Sequence, residues 1–297
     1  MPQLYMVIVL LCRVVQAFFS KRSSNAITNV TGLMTFTVFQ NAVAATLGLV
    51  LLIGSGTAGS VDLLTLLLAA FSGISLFFAV TCNIYAMKSG TVSLASMFGT
   101  AGMILPIAAG VFLFDKPITP MQLLGVGLFF VSAYLLIGAS KMTYTNFSKR
   151  TIWLLIGSLV ANGCTMLAQQ LFTATVPNGN VSMFSFLSFA IIAVLSIGML
   201  AVQIRRQPRG QKTPFSKNLL VCGIALAVAV FIINQLATIC TALVSPVVLF
   251  TVINGGGTII SALVAAIVYK EPIDRKTAIG IALGIASLVI IKAFETV

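Results

Sequence analysis

Apolar residues run through this chain in long blocks, not in the alternation of a strand or the stripe of a surface helix. Ten blocks stand out, at 3–20, 32–54, 62–87, 91–114, 119–139, 151–175, 181–204, 218–243, 246–269 and 274–292. A helix that crosses a bilayer needs about 20 mostly apolar residues, and each block is of that order. Strands of a membrane barrel would be about 10 residues long and would alternate, which these blocks do not. Breakers sit between them: Gly54-Ser55-Gly56, Pro117, Pro177-Asn178-Gly179 and Pro272. Such residues stop helices and make turns, so the pattern predicts ten membrane helices joined by short loops. The first block does not read as a signal peptide. Its basic residues, Lys21 and Arg22, follow the apolar stretch, and no small-residue cleavage site is evident.

Composition agrees with the pattern. Of 297 residues, 59% are apolar and 7% charged, where a soluble domain carries about 25% charged residues. Too few charges are present to clothe a solvated surface, which excludes a cytosolic enzyme, a nucleic-acid binder and a secreted disulfide scaffold. The net charge of +12 therefore needs a different explanation. Of the 17 Lys and Arg residues, 14 follow odd-numbered blocks, Lys116 and Lys292 lie on the opposite side, and Arg13 is inside a block. Histidine is absent, which removes the usual general base and the commonest metal ligand. Cys12, Cys82, Cys164, Cys222 and Cys240 all lie in apolar runs with no CxxC spacing. They read as small buried hydrophobes, so no metal site is expected.

The chain also resembles itself. Residues 90–138 slide onto 245–293 by 155 positions without gaps, and nine of the 49 pairs are identical. Val92, Leu94, Gly102, Ile104, Pro117, Ile118, Gly125, Leu128 and Ser132 meet Val247, Leu249, Gly257, Ile259, Pro272, Ile273, Gly280, Leu283 and Ser287. The loop punctuation coincides, since Pro-Ile is followed eight residues after the Pro by Gly in both copies. Gln16–Ser20 matches Gln169–Thr173 more weakly. Residues 1–140 and 151–297 thus read as two five-helix repeats. Because five is odd, the second copy enters the membrane inverted. Inverted repeats are the architecture of alternating-access transporters, with the substrate site near the midplane. A duplication without transport is the alternative.

This arrangement resembles the drug/metabolite transporter superfamily, and the EamA-like group most nearly. The resemblance covers the whole chain. Its best motif is Tyr269-Lys270-Glu271-Pro272, followed by Gly280 and Gly284 in the last helix. The first copy has Lys116 where the second has Glu271, and Arg13 and Gln16 occupy the region of a Trp-Gly pair common in that family. The resemblance implies an exporter or importer of small metabolites.

Charge at depth narrows the substrate. A charged side chain at the bilayer centre costs about 2.5–3.5 kcal/mol on insertion scales. Arg13 is the one deeply placed charge, and Asp62, Asp115, Glu271, Asp274 and Glu295 are all terminal or in loops. Exchange of protons for organic cations ordinarily uses a buried carboxylate, and none is on offer. Arg13 either snorkels from a short or tilted helix or faces a cavity. Amides and hydroxyls are the other deep polar groups, among them Gln40, Asn41, Thr100, Asn162, Gln170, Ser185, Ser188, Gln235 and Thr251. Each serves either as glue between helices or as a ligand contact. The expected substrate-binding set is Arg13, Gln16, Asn83, Ser96, Gln169, Asn234, Thr238 and Asn254. Asn83 and Thr238 occupy matched positions in the repeat. A hinge or packing set is expected at Gly99, Gly102 and Pro106, and at Gly255, Gly256 and Gly257. Three successive glycines at about 1 kcal/mol each relative to Ala predict local unwinding or close backbone approach.

The reading is a secondary transporter of a small anionic, zwitterionic or neutral metabolite, amino-acid-like, in the bacterial inner (plasma) membrane. An exporter of amphipathic drugs and a channel or receptor-like protein are the alternatives. No catalytic residues and no cofactor are expected, because His and deep carboxylates are missing and no Walker A pattern occurs. The expected partners are the substrate and the lipid bilayer, with no nucleic acid. Positive loops stay inside, so the 205–217 loop is expected in the cytoplasm and both termini outside. A reporter fused to the C-terminus should be active only as a non-cytoplasmic fusion; cytoplasmic activity would reverse this orientation.

Overall fold

Several helices begin where a short polar side chain takes an otherwise unpaired backbone N–H. Asn29 Oδ1 accepts from the N–H of Gly32 at 2.8 Å to open the second helix. Thr119 and Gln122 cap each other reciprocally, at 3.1 and 3.2 Å, around Pro120. Asn180 accepts from the N–H groups of Ser182 and Met183, Ser216 from Leu219, and Asp274 from Thr277. The backbone and side-chain hydrogen bonds from Thr277 hold the Asp274 carboxyl below its ordinary pKa.

The computed structural model describes residues 2–27, 29–56, 61–88, 98–115, 118–138, 149–176, 178–206, 216–270 and 273–294. In chain order the helices are α1 (Pro2–Ala26), α2 (Val30–Gly54), α3 (Leu63–Lys88), α4 (Phe98–Leu113) and α5 (Pro120–Gly138), followed by α6 (Lys149–Thr175), α7 (Val181–Arg206), α8 (Lys217–Thr241), α9 (Pro246–Ile267) and α10 (Arg275–Ala293). No strand occurs among the described residues. Eight of these helices, all but α4 and α5, are long and apolar enough to cross a membrane. Large apolar side chains cover the outside, with Phe112 81%, Ile267 74% and Trp153 72% exposed. In water such a surface would aggregate; in lipid it is solvated. The chain is an all-α membrane protein.

Packing follows a simple exchange rule. The most extensive contacts join α3 to α6, α5 to α10, α2 to α7 and α1 to α8. Replacing each helix by its counterpart five places along turns the α1–α8 pair into α6–α3 and maps α2–α7 and α5–α10 onto themselves. Individual residues obey the same rule. A Cβ on Gly125 would lie 2.6 Å from Ile291 Cγ1, and one on Gly280 would lie 3.0 Å from Leu136 Cγ. These contacts interchange under the 155-residue shift. They also make α5 and α10 antiparallel, since the early residue of each faces the late residue of the other. The matched residues Asp115 and Lys270 both take left-handed backbone, with φ of 48° and 53°, where α4 and α9 end.

The fourth and ninth helices are irregular. In α4 the chain turns at Gly102–Met103 before continuing as Ile104–Leu113. Pro106 has no N–H for the Gly102 carbonyl, which accepts from the N–H of Leu105 at 3.1 Å instead. In α9 the chain is not unwound at its glycines. It passes from Pro246–Phe250 through a π-helical turn, Thr251–Gly255, into Gly256–Ile267. Tyr269, beyond the end of α9, donates its hydroxyl to the Phe18 carbonyl of α1 at 2.9 Å, under Lys21 at 5.0 Å from the ring. Buried apolar side chains including Val9, Met103, Phe129, Val248, Phe250 and Ile291 join these irregular helices to α1, α5 and α10.

The tightest seam lies between α4 and α6. A Cβ on Gly102 would sit 2.6 Å from the Leu159 carbonyl oxygen and 2.8 Å from Gly163 N. One on Gly163 would sit 2.6 Å from the Gly102 carbonyl oxygen. Backbone cannot yield as a flexible side chain does, so Gly102→Ala should destabilise by about 1–3 kcal/mol. Gly127 has nothing within 4 Å of its Cβ position, and Gly127→Ala should be neutral or slightly stabilising. Unfolding by SDS in mixed micelles compares the two variants.

Candidate functional site

Polar side chains that are scattered in sequence converge because helical spacing puts them on inward faces. On α6, Asn162, Thr165, Met166 and Gln169 recur every three or four residues and form one stripe. Leu76, Val80 and Asn83 do the same on α3, and Val230, Ile233, Asn234 and Ala237 on α8. With Arg13 and Gln16 of α1, Gln40 and Asn41 of α2, Gly99 and Thr100 of α4, Phe189 of α7 and Phe250, Ile253 and Asn254 of α9, they line a cavity of about 410 Å³. That volume suits a small organic molecule.

Arg13 is half-buried in the wall of this cavity, near the middle of α1. Its Nη1 donates to Gln16 Oε1 at 2.8 Å, one turn along the same helix. Its Nη2 donates across to Asn254 Oδ1 on α9 at 3.4 Å. The snorkelling alternative is thus not the geometry found. No carboxylate partners Arg13 among the described residues. The side chain lies flat against α9 because residue 257 is glycine; a Cβ there would lie 3.2 Å from Arg13 Cδ and 3.3 Å from Nε. Asn254 is fixed in turn. Its Nδ2 donates to the Phe250 carbonyl at 3.0 Å and reaches the sulfur of Met166 on α6 at 3.7 Å. Because it stands on the π-helical turn, its rotation about the helix differs from that of a regular α-helical residue.

A second polar group lies between α3, α4 and α6. Ser158 donates to Asn83 Oδ1 at 2.9 Å, and Asn162 Nδ2 donates to the Ser158 carbonyl at 3.1 Å. Elsewhere Gln169 Nε2 donates to Asn234 Oδ1 at 3.1 Å, and Asn234 Nδ2 to the Val230 carbonyl at 2.9 Å. Asn41 is 6% exposed, and its Nδ2 has no partner.

The cavity therefore gathers six of the expected binding residues: Arg13, Gln16, Asn83, Gln169, Asn234 and Asn254. Thr238 is not on its wall. It is 1% exposed and donates to the Asn234 carbonyl at 2.9 Å, so it secures α8 internally. Ser96 lies outside the described residues. In the expected hinge set, Gly99 lines the cavity. Gly102 makes the backbone seam, Gly255 faces the Phe129 ring and Gly256 faces Leu10. Pro106 sits in the second part of α4. The expected binding set lacks Asn162, Gln40 and Asn41, although all three are visible as polar residues within apolar blocks. Gly163 has no sequence signal beyond its identity.

No protein-family model matches the chain, and no curated protein matches it in sequence. A solved crystal structure of a protein aligns over 99% of this chain and 97% of its own, with a TM-score of 0.78 and 14% identity. That likeness concerns the fold.

The bond between Arg13 and Asn254 has a measurable consequence. Asn254→Leu removes one acceptor from a buried cation and should destabilise by about 1–3 kcal/mol. Arg13→Met combined with Asn254→Leu should recover most of that loss, because no charge is then left short of an acceptor. A double-mutant cycle of unfolding in detergent checks both values.

Proposed function

We propose that this protein is a secondary active transporter of a small anionic, zwitterionic or neutral metabolite. In this reading it works by alternating access between two inverted five-helix repeats, residues 1–140 and 151–297, ten helices in all. The observation that carries the reading is the cavity of about 410 Å³ walled by helices of both halves. The helix exchange rule, the interchanged Gly125 and Gly280 contacts and the antiparallel course of α5 and α10 support the inverted repeat. The motif resemblance to the EamA-like drug/metabolite transporters points the same way, and the location proposed with it is the bacterial inner (plasma) membrane. A carrier, and not an enzyme, is the reading that fits a wall of amides around one fixed cation. That cation disfavours cationic drugs, because like charges repel most strongly where water is scarce.

The test is reconstitution. Proteoliposomes preloaded with one metabolite should show saturable counterflow of the labelled compound, competed by its analogues; unsaturable flux would indicate a channel. Arg13→Gln should lower counterflow at least tenfold with normal membrane insertion. Arg13→Lys should restore only part of it, since an ammonium does not reproduce the planar fork. Normal counterflow in both variants would leave Arg13 with a purely structural role.

A further inference from the structure

The cavity is chemically polarised even though the helices around it pair by a symmetric rule. Consider first the corner between α1 and α9. A guanidinium has five N–H groups, of which one goes to Gln16 and one to Asn254, while that of Nε is buried without a partner among the described residues. Accepting from Arg13 fixes the Gln16 amide, so its remaining polar atom, Nε2, is a donor and has no protein partner. Asn254 has its own Nδ2 committed to the Phe250 carbonyl and the Met166 sulfur. Beyond the second lone pairs of Gln16 Oε1 and Asn254 Oδ1, the hydrogen-bonding capacity left at this corner is N–H, around a full positive charge.

The corner between α3, α4 and α6 differs. Asn162 Nδ2 donates to both the carbonyl and the hydroxyl of Ser158, so the Ser158 hydroxyl directs its hydrogen to Asn83 Oδ1. Asn83 Nδ2 is left as a donor and Asn162 Oδ1 as an acceptor, neither with a protein partner. Gly99 opens the space in front of them, since its Cβ position lies 3.3 Å from Asn162 Nδ2 and 3.8 Å from Asn83 Nδ2. The residue matched to Gly99 by the repeat is Asn254, so one copy fills this position with an amide and the other leaves it empty. A donor beside an acceptor, both neutral, suits a hydroxyl, carbonyl or amide group. The remaining wall includes the apolar side chains of Leu76, Val80, Phe189 and Val230.

We propose that the substrate is an asymmetric organic carboxylate. Its carboxylate lies against Arg13 and Gln16, an aliphatic body lies along the apolar wall, and a neutral hydrogen-bonding group meets Asn83 and Asn162. A planar carboxylate matches the guanidinium fork. An ammonium beside it would face a like charge where water is scarce, so α-amino acids and cations bind less tightly. This narrows, and rests on, the carrier reading above.

The experiment uses the purified full chain and five related probes: ω-hydroxyhexanoate, hexanoate, ω-hydroxyhexanamide, aminohexanol and norleucine. Binding is read by thermal shift and calorimetry in detergent. The hydroxy acid should bind at least tenfold more tightly than its amide, the amine or the zwitterion, and more tightly than hexanoate. Arg13→Gln should abolish the preference for carboxylate over amide. Asn83→Ala should bring the hydroxy acid to the affinity of hexanoate and leave hexanoate unchanged, a selective effect that a misfolded variant does not give. Equal or tighter binding of the amide, amine or norleucine overturns the assignment, as does failure of ω-hydroxyhexanoate to bind. Counterflow of the same probes separates the two readings. Carried amide or norleucine sinks the carboxylate class and keeps the carrier; carboxylate binding without counterflow sinks the carrier and keeps the anion site.

Discussion

A guanidinium stays charged even when buried, and in this protein it sits in the middle of an apolar helix with no carboxylate among the described residues to neutralise it. Burying such a group is tolerable only with hydrogen bonds in place of water. Much of the surrounding structure meets that condition. Gln16 supplies an acceptor from one turn away, Asn254 supplies another from α9, and the missing side chain at Gly257 lets the arginine stem lie close to the neighbouring backbone. The π-helical turn then determines where Asn254 points. Polar cavity, glycine run and helix irregularity are one solution to one electrostatic problem.

The scaffold that holds this solution cannot rely on the hydrophobic effect between helices, because lipid is as apolar as leucine. Close packing takes its place. Glycines at 102, 163, 125 and 280 bring helices near enough for dispersion and for contact with backbone carbonyls, as where the Ser132 hydroxyl donates to the Gly280 carbonyl at 2.6 Å. These seams are stiff, and stiffness is what keeps amides from six helices aimed at one space.

The membrane class was legible in the sequence because apolar block length and charge depletion are set by the solvent, and lipid leaves no freedom there. The place of Arg13 in the middle of an apolar helix was equally plain, and six expected binding residues share one cavity because long helices keep polar stripes in phase. Legibility stopped where rotation about a helix mattered. Thr238 was reached by its match to Asn83, but matched positions share a backbone location and not a chemical role; Thr238 turns to its own helix while Asn83 meets the cavity. The glycine run left unwinding and close approach both open, and sequence does not separate the two; what approaches the glycines is the side chains of Phe129, Leu10 and Arg13. Gly163 matters through what crosses it, which no local pattern records.

The two irregular helices depart from regularity in opposite senses. At Gly102–Met103 the chain of α4 tightens, with bonds closing after three residues. The matched residues of α9, Gly257 and Thr258, run on as ordinary helix, and the chain is instead loosened just before them at Thr251–Gly255. One segment is overwound and the other underwound at nearly matched positions of the two stretches that align under the 155-residue shift. On the inverted-repeat reading proposed above, such a framework has a mirror state in which the tight and loose segments trade places. On that reading, passing between the states transfers helical twist from one half to the other, and the Gly102 seam against α6 has to shift with it.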